Sequence, residues 1–322
     1  MLKKIVINVF LIVSCFVFSG CHTQSEANNK SVDKGYNFNT LTLEGEKVTQ
    51  HVSKSPEKVL VIGEKNAERL IYFGLEERIE SVAYLESNDN KKIKDIPILA
   101  KEWPSKESVV TLKPDLIYGI STAFQKDRLG DFSFWNDQHI AIGTTSNYKN
   151  GISPANYFSE IKELGDIFNI EKTTTNFIKE QKRNIEKLTK NQQEISADKV
   201  MFIASDGRGN YYYYPDEYSL VDDVVCDLGG NYLDLGDQVL TLSHESLMKI
   251  NPDRIIFTTF MKSAFDESGM KWLEDSSLKN VTAIKQNKLL EVNYDDAIRG
   301  NENISNLYQE INHFLVENTK EK

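Results

Sequence analysis

The chain has 322 residues, of which 40% are hydrophobic and 27% are charged, a composition typical of a soluble globular protein. That length is more than one core usually fills, and it suits two lobes of ordinary domain size. The formal net charge of −10 argues against a nucleic-acid-binding protein, which needs a basic surface. It does not exclude an anionic small ligand, because a pocket can be locally basic on an acidic protein.

The N-terminus has the features of an export signal. Two lysines lie among the first four residues, and the apolar run from Ile5 to Phe18 has a length typical of a signal-peptide core. Small residues then lead to Cys21, which resembles the processing site of a lipoprotein, although phenylalanine stands where leucine is usual. We predict a signal peptide at residues 1–20, lipid on Cys21 and a polar tether at residues 21–50. An ordinary secretory signal is the alternative.

Cysteine usage leaves no disulfide inside the mature chain. Cys15 is removed with the predicted signal and Cys21 carries lipid, so Cys226 remains alone. Because Cys226 has helical spacing among apolar residues, we predict a small core residue and not a reactive thiol.

A segment of the first half of the chain recurs in the second half. Residues 107–118 read ESVVTLKPDLIY, and residues 245–256 read ESLMKINPDRII. Apolar spacing in each copy predicts a short helix, which the proline ends by excluding the preceding residue from the α region. The apolar residues after Pro-Asp predict a buried parallel strand. The repeat therefore predicts two lobes of related topology.

The neighbouring elements repeat in the same order. In each half a helical segment that ends in glycine precedes a strand-like run, within residues 66–83 and 219–235. Further predicted elements are strands at 199–204, 254–258 and 289–293 and a last helix at 304–317. We predict an α/β fold of two Rossmann-like lobes with mostly parallel sheets, at residues 51–170 and 195–322.

An amphipathic segment separates the predicted lobes. Residues 171–194 show one apolar stripe at helical spacing. At 1.5 Å per residue such a helix would be about 36 Å long, enough to cross from one lobe to the other. A helix packed within a single lobe is the alternative.

Catalytic patterns are weak throughout the chain. Residues 207–210 lack the third glycine of a dinucleotide-binding turn, and His244-Glu245 is followed by Met248 where a zinc protease would have its second histidine. The five histidines are scattered without metal-ligand spacing. We therefore expect a binding protein and not an enzyme, with no resident metal or cofactor.

Aromatic and basic side chains cluster in loops that follow predicted strands. Open α/β sheets bind ligands outside the carboxyl ends of their strands, and tyrosine, tryptophan and arginine are common anchors for large ligands. For the four consecutive tyrosines the alternative is a strand with alternating faces. The candidate ligand-binding residues are Lys101, Trp103, Arg128, Arg208, Tyr212, Tyr214, Tyr294 and Arg299.

From residue 51 onward the chain resembles the iron-siderophore and cobalamin branch of the substrate-binding proteins of bacterial ABC importers. The residues that carry this resemblance are 55–59, 74–75, 107–115, 229–231 and 245–253. The resemblance implies two α/β lobes, joined by one long helix, that hold the ligand between them without chemical turnover. It also places a ligand-contacting aromatic at Trp103 and a basic contact at Arg299.

The resemblance further implies a docking role for the two matched glutamates. In this family an acidic residue on each lobe engages arginines of the permease, and the corresponding residues here are Glu107 and Glu245. The alternative is that both are first-turn glutamates favoured by the helix dipole.

The implied ligand is a ferric siderophore, ranked ahead of haem and of cobalamin. A tyrosine, Met261 or His244 could serve as a haem axial ligand, but no pair stands out. The implied partners are an ABC permease and its ATPase, and we expect a lipid-anchored monomer on the extracytoplasmic face of the cell membrane. An exported enzyme on the same scaffold and an adhesive surface lipoprotein are the rival hypotheses.

Overall fold

The computed structural model describes residues 35–86, 90–145, 151–190, 198–260, 270–300 and 302–316. The predicted signal peptide and Cys21, the predicted lipidation site, lie outside the described residues, as does Met261. Within those ranges, no helix combines the length and the apolar character that a membrane crossing requires.

The N-terminal lobe is a parallel sheet covered by helices on both faces. Its strands are β3 (Val59–Ile62), β4 (Ile79–Ala83), β5 (Ile98–Ala100), β6 (Leu116–Gly119) and β7 (Ala141–Thr144), and its helices are α1 (Glu64–Tyr72), α2 (Lys106–Leu112) and α3 (Phe132–Asp137). The strand order is β5-β4-β3-β6-β7, and all pairs are parallel. Every residue of β3 and β6 is buried, as expected for strands packed on both faces.

An antiparallel hairpin precedes this sheet and corrects the predicted tether boundary. Strands β1 (Tyr36–Leu41) and β2 (Lys47–Val52) lie within or beside residues 21–50, which the sequence analysis assigned to a polar tether. The hairpin is bonded to the lobe, because the Thr40 hydroxyl lies 2.8 Å from that of Thr144 and Tyr36 donates a 2.6 Å hydrogen bond to the Ile167 carbonyl. This segment is folded because it makes contacts with distant parts of the chain, which its local polar composition does not reveal.

The C-terminal lobe is built on a mixed sheet. Its strands are β8 (Lys199–Ser205), β9 (Tyr211–Tyr213), β10 (Asn231–Tyr232), β11 (Leu240–Thr241), β12 (Arg254–Thr259) and β13 (Leu289–Glu291). Its helices are α6 (Val221–Asp227), α7 (His244–Ile250), α8 (Met270–Leu273), α9 (Thr282–Lys285) and α10 (Tyr294–Arg299). Strands β10, β8, β12 and β13 pair in parallel, whereas β9 and β11 add an antiparallel edge.

Three longer helices form the layer between the sheets: α4 (Pro154–Phe168), α5 (Glu171–Lys190) and α11 (Ile304–Val316). Helix α5 contacts both lobes, because Phe177 packs edge-on against Tyr72 and Phe73 and the Gln181 side chain accepts a hydrogen bond from the Ser305 amide. At 1.5 Å per residue its 20 residues span about 30 Å. Its predicted end at residue 194 lies outside the described residues.

One continuous apolar core joins the inner faces of both sheets through these helices. Val59 and Val61 of β3 belong to it together with Val200 and Phe202 of β8, whereas Leu60 and Ile62 belong to a separate cluster on the outer face. The predicted α/β architecture of two lobes with mostly parallel sheets is confirmed. The shared core implies that the lobes move little relative to one another, because packed interiors resist deformation.

Cys226 is exposed, so the prediction of a core cysteine was wrong. Helix α6 turns Val221, Val224 and Val225 inward, and this stripe leaves Cys226 on the opposite face. The apolar neighbours of Cys226 suggested that it is buried, but its position around the helix places it on the exposed face.

Candidate ligand-binding cleft

The repeated segments fold into the same helix-strand unit in both lobes. Ser105 and Ser243 cap the helices α2 and α7 by accepting hydrogen bonds of 3.1 Å from the amides three residues later. Lys113 and Asn251 end these helices in the left-handed conformation, with φ of 53° and 49°. The conformation differs from the extended one usual before proline, but it ends each helix as predicted.

The aspartates of the two Pro-Asp pairs hold the first strand of each sheet. Asp115 exchanges hydrogen bonds of 2.9 and 3.0 Å with the Lys58 backbone, and Asp253 exchanges bonds of 3.0 and 2.9 Å with the Lys199 backbone. Each helix therefore ends at the amino edge of its sheet, and its first turn lies toward the carboxyl edge. The expected binding edge and the first turns of α2 and α7 consequently lie at the same end of the protein.

Glu107 and Glu245, the predicted docking residues, occupy these two first turns and are both exposed. Hydrogen bonds from its own backbone and from Ser105 lower the pKa of Glu107. Both side chains are accessible to a partner from the cleft end, and they sit on symmetry-related positions of the two lobes.

An aromatic platform lies at the carboxyl edge of the N-terminal sheet. It consists of Tyr84, which follows β4, Trp103, which follows β5, and Arg128, which follows β6. The rings of Tyr84 and Trp103 stack with centroids 4.1 Å apart, and the Arg128 guanidinium carbon lies 3.9 Å from the centre of the Trp103 ring. Arg128 also donates a 3.0 Å hydrogen bond to the Thr122 carbonyl. The structure thus brings two predicted ligand residues, Trp103 and Arg128, into contact.

Tyr84 is a member of the platform that the sequence analysis missed. Its φ of 60° is rare for an aromatic residue, and its amide lies 3.2 Å from the carbonyls of both Ala100 and Glu102. Such strain persists only where the surroundings enforce it, and it is common in binding sites. No sequence signal marks this conformation. Lys101, also a predicted ligand residue, is exposed on the same connection.

The C-terminal lobe carries a second tryptophan-tyrosine stack, also missed by sequence analysis. Trp272 of α8 stacks on Tyr211 with centroids 4.3 Å apart, and the His244 ring lies 5.0 Å from Trp272. Tyr211 pairs with Ser205, the last residue of β8, so the stack lies near the carboxyl edge of this sheet. The His244 ring therefore packs against the Trp272 ring, which does not favour a role for His244 as a metal ligand.

The four consecutive tyrosines divide between two faces of the sheet. Tyr213 is buried in a third apolar cluster, which includes Met201 and Ile203 of β8, and Tyr211 also packs against that cluster. Tyr214 packs against the shared core, with its ring 6.0 Å from that of Phe202, and Tyr212 is half-buried. The alternation expected for a strand is thus present, and Tyr212 and Tyr214 remain predicted ligand residues.

Arg208 and Tyr294 extend the cleft edge of the C-terminal lobe. Arg208 is exposed in the turn after β8, where its amide donates a 2.8 Å hydrogen bond to the Asp206 carboxylate. Tyr294 begins α10, and its ring lies 4.9 Å from that of Phe260, which directly follows β12. Both residues follow strand ends, as predicted.

Arg299 is engaged by a carboxylate of the other lobe. Its two terminal nitrogens donate hydrogen bonds of 2.8 and 3.2 Å to Glu86, and one of them lies 3.5 Å from Asp295. Lys65 of α1 lies 3.7 Å from Asp295 and adds a second contact between the lobes. The predicted role of Arg299 in ligand binding therefore competes with a role in holding the lobes together.

A cavity of about 310 Å³ lies between α1, α4 and α10. Arg299 lines it, together with Arg69 and Glu163. The volume is at the lower limit of ordinary ligand pockets. Burial, reinforced by the neighbouring Glu160, raises the pKa of Glu163 to about 7, and burial raises that of Asp295 to about 6 against the opposing charge of Arg299.

The chain matches proteins of known class over most of its length. The periplasmic binding protein family matches residues 59–294. The petrobactin-binding protein YclQ of Bacillus subtilis is 25% identical over 303 residues, which cover 90% of each chain. A periplasmic binding protein from Veillonella parvula superposes with a TM-score of 0.76 at 18% identity, covering 88% of this chain and 92% of that one.

A second solved structure shows the same fold. The catecholate-siderophore-binding protein VctP of Vibrio cholerae superposes with a TM-score of 0.65 at 18% identity, covering 87% of this chain and 99% of that chain. The family match runs from β3 of the N-terminal sheet to the start of α10 in the C-terminal lobe. With both lobes included in that match, the chain belongs to the periplasmic binding protein family.

Proposed function

We propose that this protein binds a ferric siderophore between its lobes and delivers it to the permease of an ABC importer. The observation that carries the proposal is the aromatic platform of Tyr84, Trp103 and Arg128 at the carboxyl edge of the N-terminal sheet. A stacked aromatic pair offers a flat apolar surface, and a guanidinium over it adds permanent positive charge. Together they suit a ligand that is both aromatic and anionic.

Three further observations favour a siderophore over haem and cobalamin. A ferric catecholate complex is anionic, which suits Arg128 and the exposed Lys101 and Arg208. His244, one of the candidate haem ligands, packs against Trp272 and has its Nδ1 atom 3.4 Å from the Ser277 hydroxyl. The similarity to the petrobactin-binding protein YclQ supports the same ligand class.

Delivery requires that the loaded protein meet a permease. Glu107 and Glu245 are exposed in matched first turns at the cleft end, which suits docking on a permease with two related halves. The N-terminal sequence supports export and lipid attachment at Cys21, which would keep the protein beside its partner on the extracytoplasmic face of the membrane. The proposed role is capture and transfer, without chemical turnover of the ligand.

The test is a fluorescence titration with ferric catecholates, ferric hydroxamates, haem and cobalamin. We expect quenching by a ferric siderophore with submicromolar affinity, and most of the quenching should be lost in Trp103→Phe. The control is Trp272→Phe, which removes an indole from the other lobe. Binding of haem or cobalamin alone would overturn the choice of ligand.

The same samples separate the proposal from its rivals. Ligand recovered after binding should be chemically unchanged, whereas an enzyme would return a modified product. If none of the four ligand classes binds, the protein is not an importer component of this kind.

A further inference from the structure

A cluster of carboxylates lies where β9 leads into α6, away from the aromatic platform. Asp216 precedes the helix, and Asp222 and Asp223 lie in its first turn. One carboxylate oxygen of each residue lies within 4.8 Å of those of the other two. Asp216 is exposed and Asp223 is half-buried, so the cluster opens to solvent on one side.

Asp222 gives this cluster a feature that surface acidic groups lack. Only 5% of the residue is exposed, and its Oδ1 atom accepts no hydrogen bond from any of the described residues. A buried carboxylate oxygen without a donor is unfavourable in proteins. A positive partner at this atom would remove that cost.

We propose that Asp216, Asp222 and Asp223 bind a hard divalent cation, with calcium as the favoured ion. Carboxylate oxygens are the ligands that calcium prefers, and it accepts irregular geometry completed by water and backbone carbonyls. An exposed ligand, a half-buried ligand and a buried ligand give the ion a path from solvent into the site. Sites of this openness in extracellular proteins bind calcium with dissociation constants of about 0.1–1 mM.

The position of the cluster gives the ion a structural role. The connection that contains Asp216 accepts a 2.8 Å hydrogen bond at the Glu217 carbonyl from the Ile152 amide, just before α4. At its other end the Leu220 amide donates a 2.7 Å hydrogen bond to the Ala297 carbonyl of α10. An ion bound by both Asp216 and α6 would therefore stabilise the connection between β9 and α6. This connection contacts elements on both sides of the interlobe cavity.

The test uses full-length purified protein freed of metal with a chelator. Calcium at about 5 mM should raise the melting temperature by about 2–4 °C, as expected from millimolar binding to the folded state alone. Terbium should show tyrosine-sensitised luminescence that calcium displaces, because Tyr213 ends β9 three residues before Asp216.

Substitutions locate the effect. Asp216→Asn alters an exposed residue and should abolish the calcium response without unfolding the protein. Asp222→Asn, which removes the buried ligand, should abolish it as well. Asp237→Asn, an exposed carboxylate outside the cluster, should leave the response intact. A melting temperature insensitive to calcium, or an equal response in Asp216→Asn, would overturn the proposal.

Discussion

The two lobes are alike at the amino edges of their sheets and different at the carboxyl edges. At the amino edges, Asp115 and Asp253 make nearly the same pair of hydrogen bonds to the backbone of the first strand. At the carboxyl edges, each lobe has a tryptophan stacked on a tyrosine, but the N-terminal stack carries Arg128 and the C-terminal stack carries His244. The comparison indicates that the repeated unit builds the scaffold, while the candidate binding residues differ between the lobes.

The arginines differ in the same way. Arg128 lies over Trp103 and bonds to a backbone carbonyl, so its charge is available to an anion. Arg299 is paired with Glu86 of the other lobe and lies close to Asp295. The same residue type therefore has two different environments, one that suits ligand recognition and one that provides lobe-lobe contact.

The largest expected effect tests whether the two proposed docking residues are equivalent. Charge reversal at both Glu107 and Glu245 should abolish uptake of the iron complex by cells, because each lobe would present the wrong charge to the permease. Affinity for the ligand, measured by fluorescence, should be unchanged. Glu77→Lys reverses an exposed charge that precedes β4 at the opposite edge, and it is the matched control. Normal uptake by the double variant would show that docking does not use these residues.

The next effect separates the two arginines. Arg128→Gln should weaken ligand binding about 10- to 100-fold with little change in stability, since a partly desolvated cation–π and charge contact contributes about 1.4–2.7 kcal/mol. Arg299→Gln should instead lower the free energy of unfolding by about 1–3 kcal/mol, because Glu86 loses its partner.

The double variant Arg299→Gln/Glu86→Gln serves as the control for that experiment. It removes both charges and should regain part of the lost stability. A larger loss of affinity in Arg299→Gln than in Arg128→Gln, with the double variant equally impaired, would assign ligand binding to Arg299.

A smaller effect tests the repeated aspartates. Asp115 accepts hydrogen bonds from the amides of both Glu57 and Lys58, whereas Asp253 accepts one from Lys199. Asp115→Ala should therefore lower the free energy of unfolding by about 1–3 kcal/mol and Asp253→Ala by about 1 kcal/mol. Urea denaturation measures both values. A larger loss of stability in Asp253→Ala than in Asp115→Ala would show that the number of accepted hydrogen bonds does not determine how much each aspartate stabilises the protein.

The smallest expected effect concerns two carboxyl groups, Glu163 and Asp295, which lie on the two sides of the interlobe cavity. Because the folded-state pKa of Glu163 is raised to about 7, its protonated form favours the folded state and this stabilisation is lost as the pH rises toward 8. Glu163→Gln should exceed wild type in stability at pH 8 by roughly 1–2 kcal/mol, allowing for solvent screening, and match it at pH 5.

Asp295→Asn is the counterpart on the C-terminal lobe. Its charged form is held by Lys65 and Arg299, so this variant should gain less at pH 8 than Glu163→Gln. Thermal unfolding at the two pH values checks both variants. Equal gains would show that the ion pairs around Asp295 contribute nothing.

Local patterns in the chain were enough to predict the scaffold. The proline after each short helix, the buried runs that follow Pro-Asp and the stripe in residues 171–190 each depend on neighbours in sequence, and each formed the predicted element. The sequence predicted that Trp103 and Arg128 lie in the same cleft, because both residues follow strands of the same parallel sheet. It did not predict that they contact each other.

The sequence by itself determined the repeated α/β lobes, since hydrophobic spacing and helix-ending prolines act over a few residues. The tertiary structure decided the folding of β1 and β2, the exposure of Cys226, the strained Tyr84 and the pairing of Arg299 with Glu86. Those features depend on contacts between residues that are distant in the sequence. The packing of whole helices and strands determines these contacts, so no local pattern of residues encodes them.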